Sequence, residues 1–155
     1  DQGTKLLLDA RSELPALGKM LDLGCGCGVV GIAMAKAGWT DITSSDISAT
    51  ALLLAKDNAA SNGAGFIQFA AADMLSDQGK FDLIAVNPPF HQGVTTTTAQ
   101  TVNMIIKAKE HLTLQGVMYM VANAHLKYEP VLKEHFPSVV KVRSTSAFNV
   151  FKASV

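Results

Sequence analysis

A glycine-rich loop is the first segment of this chain whose residue types could do chemistry. The sequence DLGCGCG spans residues 22–28, and Gly31 follows about one helical turn later. Glycines permit positive φ and let the backbone approach a ligand closely. Gly26-x-Gly28-x-x-Gly31 formally matches the dinucleotide fingerprint, but the D-x-G-x-G-x-G spacing fits the loop of adenosylmethionine-binding enzymes better. The loop residues expected to contact such a cofactor are Asp22, Gly24, Cys25, Gly26 and Gly28.

Two aspartates come next, each after a predicted strand. Asp46 could accept hydrogen bonds from both ribose hydroxyls of a nucleoside, and Asp73 could accept one from the exocyclic amine of adenine. Ile47 and Met74 follow them and offer apolar faces to the adenine ring. Aspartates at such positions also often cap turns or helix N-termini, which is the competing interpretation. Because these residues and the glycine loop all follow the ends of predicted parallel strands, together they favour an adenosine pocket.

The most specific segment is Asn-Pro-Pro-Phe at residues 87–90. Two prolines fix φ and remove two backbone donors, so this turn presents carbonyl oxygens. We expect the side-chain oxygen of Asn87 and the carbonyl of Pro88 to accept both hydrogens of a planar amine, while Phe90 stacks on its ring. An amine held in this way can pyramidalise and aim its lone pair at an electrophilic methyl group without a strong base. Asn87, Pro88 and Phe90 are therefore the candidate catalytic residues, and Asn87 also borders the cofactor.

The candidate substrate contacts extend along the same turn to Pro89, Phe90 and His91. His91 could touch the substrate, but a lone histidine in a loop is more often a surface or capping residue, so it receives no catalytic role. The Cys25–Cys27 pair is a poor zinc site because two further ligands at a recognisable spacing are missing. We therefore expect no metal cofactor.

These segments must be positioned by strands that end just before them. Apolar runs predict strands at 20–24, 41–46, 66–73, 81–87 and 117–123. Helical patterns are predicted at 29–38, which Gly38 ends, and from the N-cap Ser48 to Asn62, which Gly63 ends. Two more are predicted from a cap at Thr97 or Thr98 to about His111, and at 129–136 with Pro130 in the first turn. The segment LQG at 114–116 is predicted as a turn before the strand at 117–123. Residues 139–155 are predicted to form two strands joined by a tight turn around 144–146. The predicted fold class is α/β, a parallel sheet covered by helices on both faces, with a C-terminal antiparallel hairpin.

Composition limits the possible classes of protein. The 155 residues, 48% apolar and 17% charged, fit one domain spanning 1–155 and exclude wholesale disorder. Thirteen basic residues balance thirteen acidic ones, so charge gives no support to autonomous nucleic-acid binding. The two cysteines are too close together to form a disulfide framework, which favours a reducing compartment. The sequence shows no apolar run of roughly 18 residues and no signal peptide, so we expect a cytoplasmic protein without a membrane partner. The chain lacks an initiator methionine, which suggests a piece of a longer protein.

The segments LDLGCGCG, SDIS, AAD and NPPFHQG, followed by VMYMVANAHLKYEPVL and SAFNVFKA, resemble the small-subunit ribosomal RNA guanine-N2 methyltransferase family (RsmC-like), in its C-terminal catalytic domain. The resemblance implies a Rossmann-like class I fold that uses S-adenosyl-L-methionine to methylate a guanine amine in 16S ribosomal RNA, as naked RNA or in the 30S subunit. It also implies cofactor roles for Gly24, Gly26, Gly28, Asp46 and Asp73, and a grip on the target base by residues 87–90. Family members carry a preceding methyltransferase-like half, so RNA contacts are expected to depend on it.

Other functions remain open at this point. A large-subunit guanine-N2, an adenine-N6 or a protein glutamine-N5 methyltransferase would use a similar NPPF site. A nicotinamide dehydrogenase would need a substrate domain, for which 155 residues leave no room. A non-enzymatic, degenerate scaffold would show eroded glycine and NPPF motifs, whereas both are intact here.

Overall fold

A computed structural model of the chain describes residues 2–10, 18–71, 79–87 and 99–155, without the side chain of Gln100. The strands in these ranges are β1 (Lys19–Leu23), β2 (Asp41–Asp46), β3 (Gln68–Ala71), β4 (Phe81–Val86), β5 (Leu112–Asn123), β6 (Ser138–Ser144) and β7 (Phe148–Ser154). The helices are α1 (Gln2–Asp9), α2 (Val29–Lys36), α3 (Ala49–Ser61), α4 (Ala99–Glu110) and α5 (Tyr128–His135). None of the helices in the described ranges has the length and apolar character needed to cross a membrane.

The strands form one sheet in the order β3-β2-β1-β4-β5-β7-β6. Strands β1 to β5 pair in parallel, whereas β7 runs antiparallel to both β5 and β6. This confirms the predicted α/β class with a C-terminal antiparallel hairpin. The chain builds outward from β1 to β3 and then returns to β4 on the other side, so the strand order reverses between β1 and β4. Ligands of such sheets bind at this reversal, outside the carboxyl ends of the strands.

Local signals position the helices that flank the sheet. The Ser48 hydroxyl caps α3 by accepting a hydrogen bond from the N–H of Ala51 at 3.2 Å. Gly38 and Gly63, predicted to end α2 and α3, adopt φ of +109° and +72°. A left-handed residue after the last turn is a common helix stop, and glycine adopts it without a Cβ clash.

The core has two layers, one on each face of the sheet. On one face, α4 and α5 cover apolar residues that include Leu21, Ile84, Met118, Ile105 and Leu132. On the other face, α1 and α2 cover a set that includes Met20, Leu83, Tyr119, Leu7 and Met34. Burial of this apolar surface is the main source of the free energy that holds the helices on the sheet.

Strand β5 differs from its prediction. It begins at Leu112, five residues before the predicted start, and includes the segment 114–116 that was predicted as a turn. Phe81 of β4 pairs with Leu112 of β5, but Leu83, only two residues later, pairs with Val117. The extra residues of β5 between Leu112 and Val117 therefore form a bulge. A bulge keeps a turn-like segment within a strand, which a local reading of LQG could not distinguish from a turn.

Other differences concern one additional helix and the bounds of predicted elements. Helix α1 was not predicted. Strand β3 covers 68–71 rather than 66–73, with residues 72 and 73 outside the described ranges. Helix α4 begins at Ala99 among the described residues, and its candidate caps, Thr97 and Thr98, lie outside them. Pro130 falls in the first turn of α5, as predicted.

Candidate cofactor and substrate site

Three neighbouring strands bring the predicted site together at one edge of the sheet. Leu23, the last residue of β1, pairs with Ser45 of β2 and with Val86 of β4. Asp46 and Asn87 each follow those partners directly, so both lie level with the start of the glycine loop. The site therefore sits at the reversal of strand order, at the carboxyl ends of β1, β2 and β4.

The glycines of the loop fall into two kinds. Gly24, Gly26 and Gly28 all have positive φ, of +70°, +53° and +89°. A Cβ added to Gly24 or Gly26 would meet no atom of the described residues within 4 Å, whereas one on Gly28 would lie 3.1 Å from the Cβ of Ala55 in α3. The first two glycines thus border open space at the strand ends, and the third allows the loop to pack against α3.

The N–H groups of the three fingerprint glycines make hydrogen bonds within the protein. Gly26, Gly28 and Gly31 donate their N–H groups, in turn, to the carboxylate of Asp46 at 2.9 Å, the carbonyl of Cys25 at 2.9 Å and the carboxylate of Asp22 at 3.1 Å. A dinucleotide pyrophosphate takes its hydrogen bonds from free N–H groups at such a turn. The hydrogen bonds within the protein shape the loop. In the dinucleotide fingerprint the first and third glycines serve the tight turn and the helix packing, so the bonds do not by themselves separate the two cofactor classes.

Asp46 serves as a structural tie as well as a candidate ribose acceptor. Its Oδ2 accepts the N–H of Gly26 and its Oδ1 accepts the N–H of Ser48, both at 2.9 Å. The competing capping interpretation is therefore confirmed, and the role of Asp46 as a ribose acceptor stays a prediction. A carboxylate has about four acceptor positions, so two remain for ribose hydroxyls. Ile47 beside it is 71% exposed and offers an uncovered apolar side chain.

Asp22 lies beneath the loop. Only 4% of its surface is exposed. Burial raises the pKa of its carboxyl group to about 7; the hydrogen bond from the N–H of Gly31 opposes this rise, and the nearby charge of Asp46 adds to it. Its carboxylate reaches the first turn of α2 from the interior and thereby holds the glycine loop against that helix.

The two cysteines have no sign of a chemical role. Burial, with the charges of Asp22 and Asp46, raises the pKa of the Cys25 thiol to about 12, so it stays protonated and is a poor nucleophile. Cys27 is exposed, and its carbonyl accepts a hydrogen bond from Asn58 at 2.9 Å. Across 2–10, 18–71, 79–87 and 99–155, no three His, Cys, Asp or Glu residues cluster as metal ligands would.

Asn87 makes a contact that the sequence analysis missed. Its Nδ2 donates a hydrogen bond to the hydroxyl of Thr4 in α1 at 3.0 Å. The amide oxygen, Oδ1, is therefore the atom of Asn87 that is directed away from Thr4. The spacing of Gly3 and Leu7, both buried on one side of α1, is the signal that could have predicted this helix.

The remaining site predictions lie outside the described residues: Asp73, Met74, Pro88, Pro89, Phe90 and His91. Strand β3 ends at Ala71, which pairs with Asp46. The strand that precedes Asp73 and Met74 thus ends at the same edge of the sheet as the glycine loop. Asn87 is likewise the last described residue before the proline turn.

A groove of about 480 Å³ elsewhere on the surface contains none of the predicted site residues. Its lining comes from the second half of α3, the connection after it and the start of β3, at Lys56, Ala60, Gly65, Ile67, Gln68 and Phe69. It lies towards the amino-terminal end of β3, whereas the glycine loop lies at the carboxyl ends of the strands.

Comparison with known proteins gives one family. Residues 1–152 match the protein-family model described as the methyltransferase small domain. Over 158 aligned residues, covering 100% of the chain, the sequence is 41% identical to the Aeromonas hydrophila protein named ribosomal RNA small subunit methyltransferase C. The chain spans 45% of that relative's length.

Solved structures agree with this match. A T. thermophilus 16S rRNA N2 methyltransferase, in complex with AdoMet and guanosine, superposes with a TM-score of 0.90 at 28% identity, over 99% of this chain and 43% of that one. A ribosomal protein methylase from Lactobacillus delbrueckii subsp. bulgaricus superposes with a TM-score of 0.76 at 26% identity, over 99% of this chain and 77% of that one.

Proposed function

Because the chain belongs to the methyltransferase small domain family, we propose that it is the catalytic domain of an enzyme that methylates the N2 amine of a guanine in 16S ribosomal RNA. The class I methyltransferase fold and the site at its strand reversal support methyl transfer. The 41% identity to a small-subunit ribosomal RNA methyltransferase supports the RNA target. The observation that carries the proposal is the position of Asn87, at the end of β4 and level with the glycine loop.

The residues at the strand ends fit S-adenosyl-L-methionine. Gly24 and Gly26 adopt positive φ beside open space, which is what a close approach of ligand to backbone requires. Asp46 keeps acceptor positions for ribose hydroxyls, and Ile47 offers an exposed apolar side chain for the adenine ring. Asp73 and Met74 complete this proposed adenosine pocket from the end of the neighbouring strand. The cofactor, when bound, supplies an electrophilic methyl group on a positively charged sulfur.

The proposed role of residues 87–90 is to hold the target amine. The Oδ1 of Asn87 and the carbonyl of Pro88 accept its two N–H groups, while Pro89, Phe90 and His91 contact the base. Nitrogen loses its conjugation with the ring as it becomes nucleophilic, and acceptors on both hydrogens stabilise the positive charge that develops there. The lost proton becomes acidic only after the methyl group has transferred, so a strong base is unnecessary.

The RNA partner requires a source of affinity besides net charge. Thirteen basic and thirteen acidic residues leave the chain with a formal charge of zero. Phosphate neutralisation by lysine and arginine supplies most non-specific RNA affinity. This chain spans 45% of the length of its curated relative. We therefore propose that the part of such a protein outside the match supplies the main RNA contacts, and that these 155 residues alone bind RNA weakly.

The test is methylation of unmethylated 30S particles, and separately of naked 16S RNA, by the full-length protein with labelled S-adenosyl-L-methionine. Nuclease digestion and mass spectrometry identify the modified nucleoside. N2-methylguanosine at one site, lost in Asn87→Ala, is the expected result. Label on adenine N6, on large-subunit RNA or on a protein glutamine would overturn the assignment in favour of the corresponding enzyme.

A further inference from the structure

The contact between Asn87 and Thr4 joins two parts of the chain that are far apart in sequence. The amide Nδ2 of Asn87 lies 3.0 Å from the Thr4 hydroxyl oxygen, across a separation of 83 residues. We propose that Thr4 is a positioning residue, which orients the amide of Asn87 so that its oxygen points to the methyl-accepting amine. This inference rests on the proposed function, because it takes Asn87 as an acceptor for that amine.

The amide of Asn87 has two orientations that differ in chemistry. A half-turn about its last torsion exchanges Oδ1, which accepts hydrogen bonds, for Nδ2, which donates them. With Nδ2 directed at an amine, two donors would face each other and the amine could not be held. The hydroxyl oxygen of Thr4 accepts from Nδ2 in the structure, which holds the side chain in place with Oδ1 directed away from Thr4. A hydroxyl can also donate, so the bound amine, itself a donor, completes the choice of orientation by pairing with Oδ1.

Helix α1 holds Thr4 firmly enough to do this. Gly3 and Leu7 of this helix are buried, as is Ala10 just after it, and Leu7 and Ala10 belong to the core layer formed with α2. The far end of the helix is tied to strand β6, because the guanidinium of Arg143 donates to the carbonyl of Asp9 at 3.5 Å. The Thr4 hydroxyl thus lies on a helix that is packed against the core. The proposed amine site therefore includes helix α1, which is far in sequence from residues 87–90.

The experiment compares Thr4→Val, Thr4→Ser and Thr4→Ala in the full-length protein, using single-turnover and steady-state methylation of 30S particles. Valine matches the shape of threonine but lacks the oxygen, so we expect kcat to fall about tenfold while KM changes little. Serine restores the oxygen and should return kcat to within about twofold of the wild type. Lys5→Ala, at an exposed position on the same helix, is the matched control and should leave kcat unchanged.

Two further measurements separate positioning from a structural role. In Thr4→Val, the Kd of S-adenosyl-L-methionine measured by calorimetry should be nearly unchanged. The melting temperature, Tm, should also be nearly unchanged. If Tm falls and serine fails to rescue kcat, or if valine leaves kcat intact, the inference is wrong. Thr4→Ala provides the same comparison if the valine variant does not fold.

Asn87→Ala distinguishes failure of this inference from failure of the proposed function. If Thr4 acts through Asn87, the double variant Thr4→Val with Asn87→Ala should be no slower than Asn87→Ala alone. Wild-type turnover by Asn87→Ala would remove the proposed amine grip altogether. An inactive Asn87→Ala together with a fully active Thr4→Val would leave the proposed function intact and remove only the role of Thr4.

Discussion

The carboxylate of Asp46 accepts the backbone N–H of Gly26 at 2.9 Å, which joins the end of β2 to the glycine loop after β1. The same carboxylate is the proposed ribose acceptor. One side chain therefore shapes the loop and is also proposed to bind the ligand that the loop borders. Loss of this carboxylate should weaken cofactor binding both by removing the ribose acceptor and by releasing the glycine loop.

We predict that Asp46→Ala weakens S-adenosyl-L-methionine binding by about ten- to a hundredfold, because hydrogen bonds to a charged group are lost and the loop is released. Isothermal titration calorimetry of the purified protein measures the change. Asp41→Ala, at the exposed start of the same strand, is the control and should bind normally. An unchanged Kd for Asp46→Ala would remove Asp46 from the cofactor site.

We predict that position 31 requires glycine because a larger side chain would clash with the neighbouring strand, and not because a ligand approaches there. A Cβ at this position would lie 2.8 Å from the hydroxyl oxygen of Ser44 in β2. We expect Gly31→Ala to lower the free energy of unfolding by about 1–3 kcal/mol in urea denaturation, as overpacking does.

The matched double variant tests this explanation. The Ser44 hydroxyl is buried and has no hydrogen-bond partner among the described residues. Its removal in Ser44→Ala should therefore cost little, and Gly31→Ala combined with Ser44→Ala should recover most of the lost stability. Simple addition of the two single effects would show that the Ser44 contact is not the cause.

The buried Asp22 predicts a pH dependence of stability. Its pKa rises from about 4 in the unfolded chain to about 7 in the folded protein. The folded state therefore holds this proton more tightly, so the stabilisation is fully present below pH 4 and is lost as pH rises towards 7. Over this window the contribution is on the order of a few kcal/mol.

Asp22→Asn removes the titrating group while keeping an oxygen that can accept the N–H of Gly31. Urea unfolding at several pH values from 4 to 8 should show the variant gaining stability relative to the wild type as pH rises. Asp57→Asn, on the exposed side of α3, should follow the wild-type curve. Parallel curves for wild type and Asp22→Asn would contradict the assigned pKa.

Phe90 is predicted from sequence to stack on the target base. Phe90→Ala should raise the KM for RNA about tenfold or more, because stacking on an aromatic ring contributes roughly 1–3 kcal/mol per base. The affinity for S-adenosyl-L-methionine should change little. If Tm falls while KM stays constant, Phe90 belongs to the core instead of the substrate site.

Local signals predicted most strands and helices of the chain. The apolar run before Gly24, the cap at Ser48 and the helix stops at Gly38 and Gly63 all act within a few residues, and the structure has these elements where they were expected. The early start of β5 was missed because the bulge depends on its pairing with β4. Helix α1 was missed although its buried side shows helical spacing.

Sequence alone predicted the strand ends at which the described candidates Asp46 and Asn87 stand, because glycine conformations and apolar runs depend on neighbours in the chain. Tertiary structure decided the strand order, the insertion of β7 between β5 and β6, and the contact of Asn87 with Thr4. Residues 83 positions apart meet only when α1 packs on the sheet, since burial of Leu7 and Ala10 in the shared core selects that position.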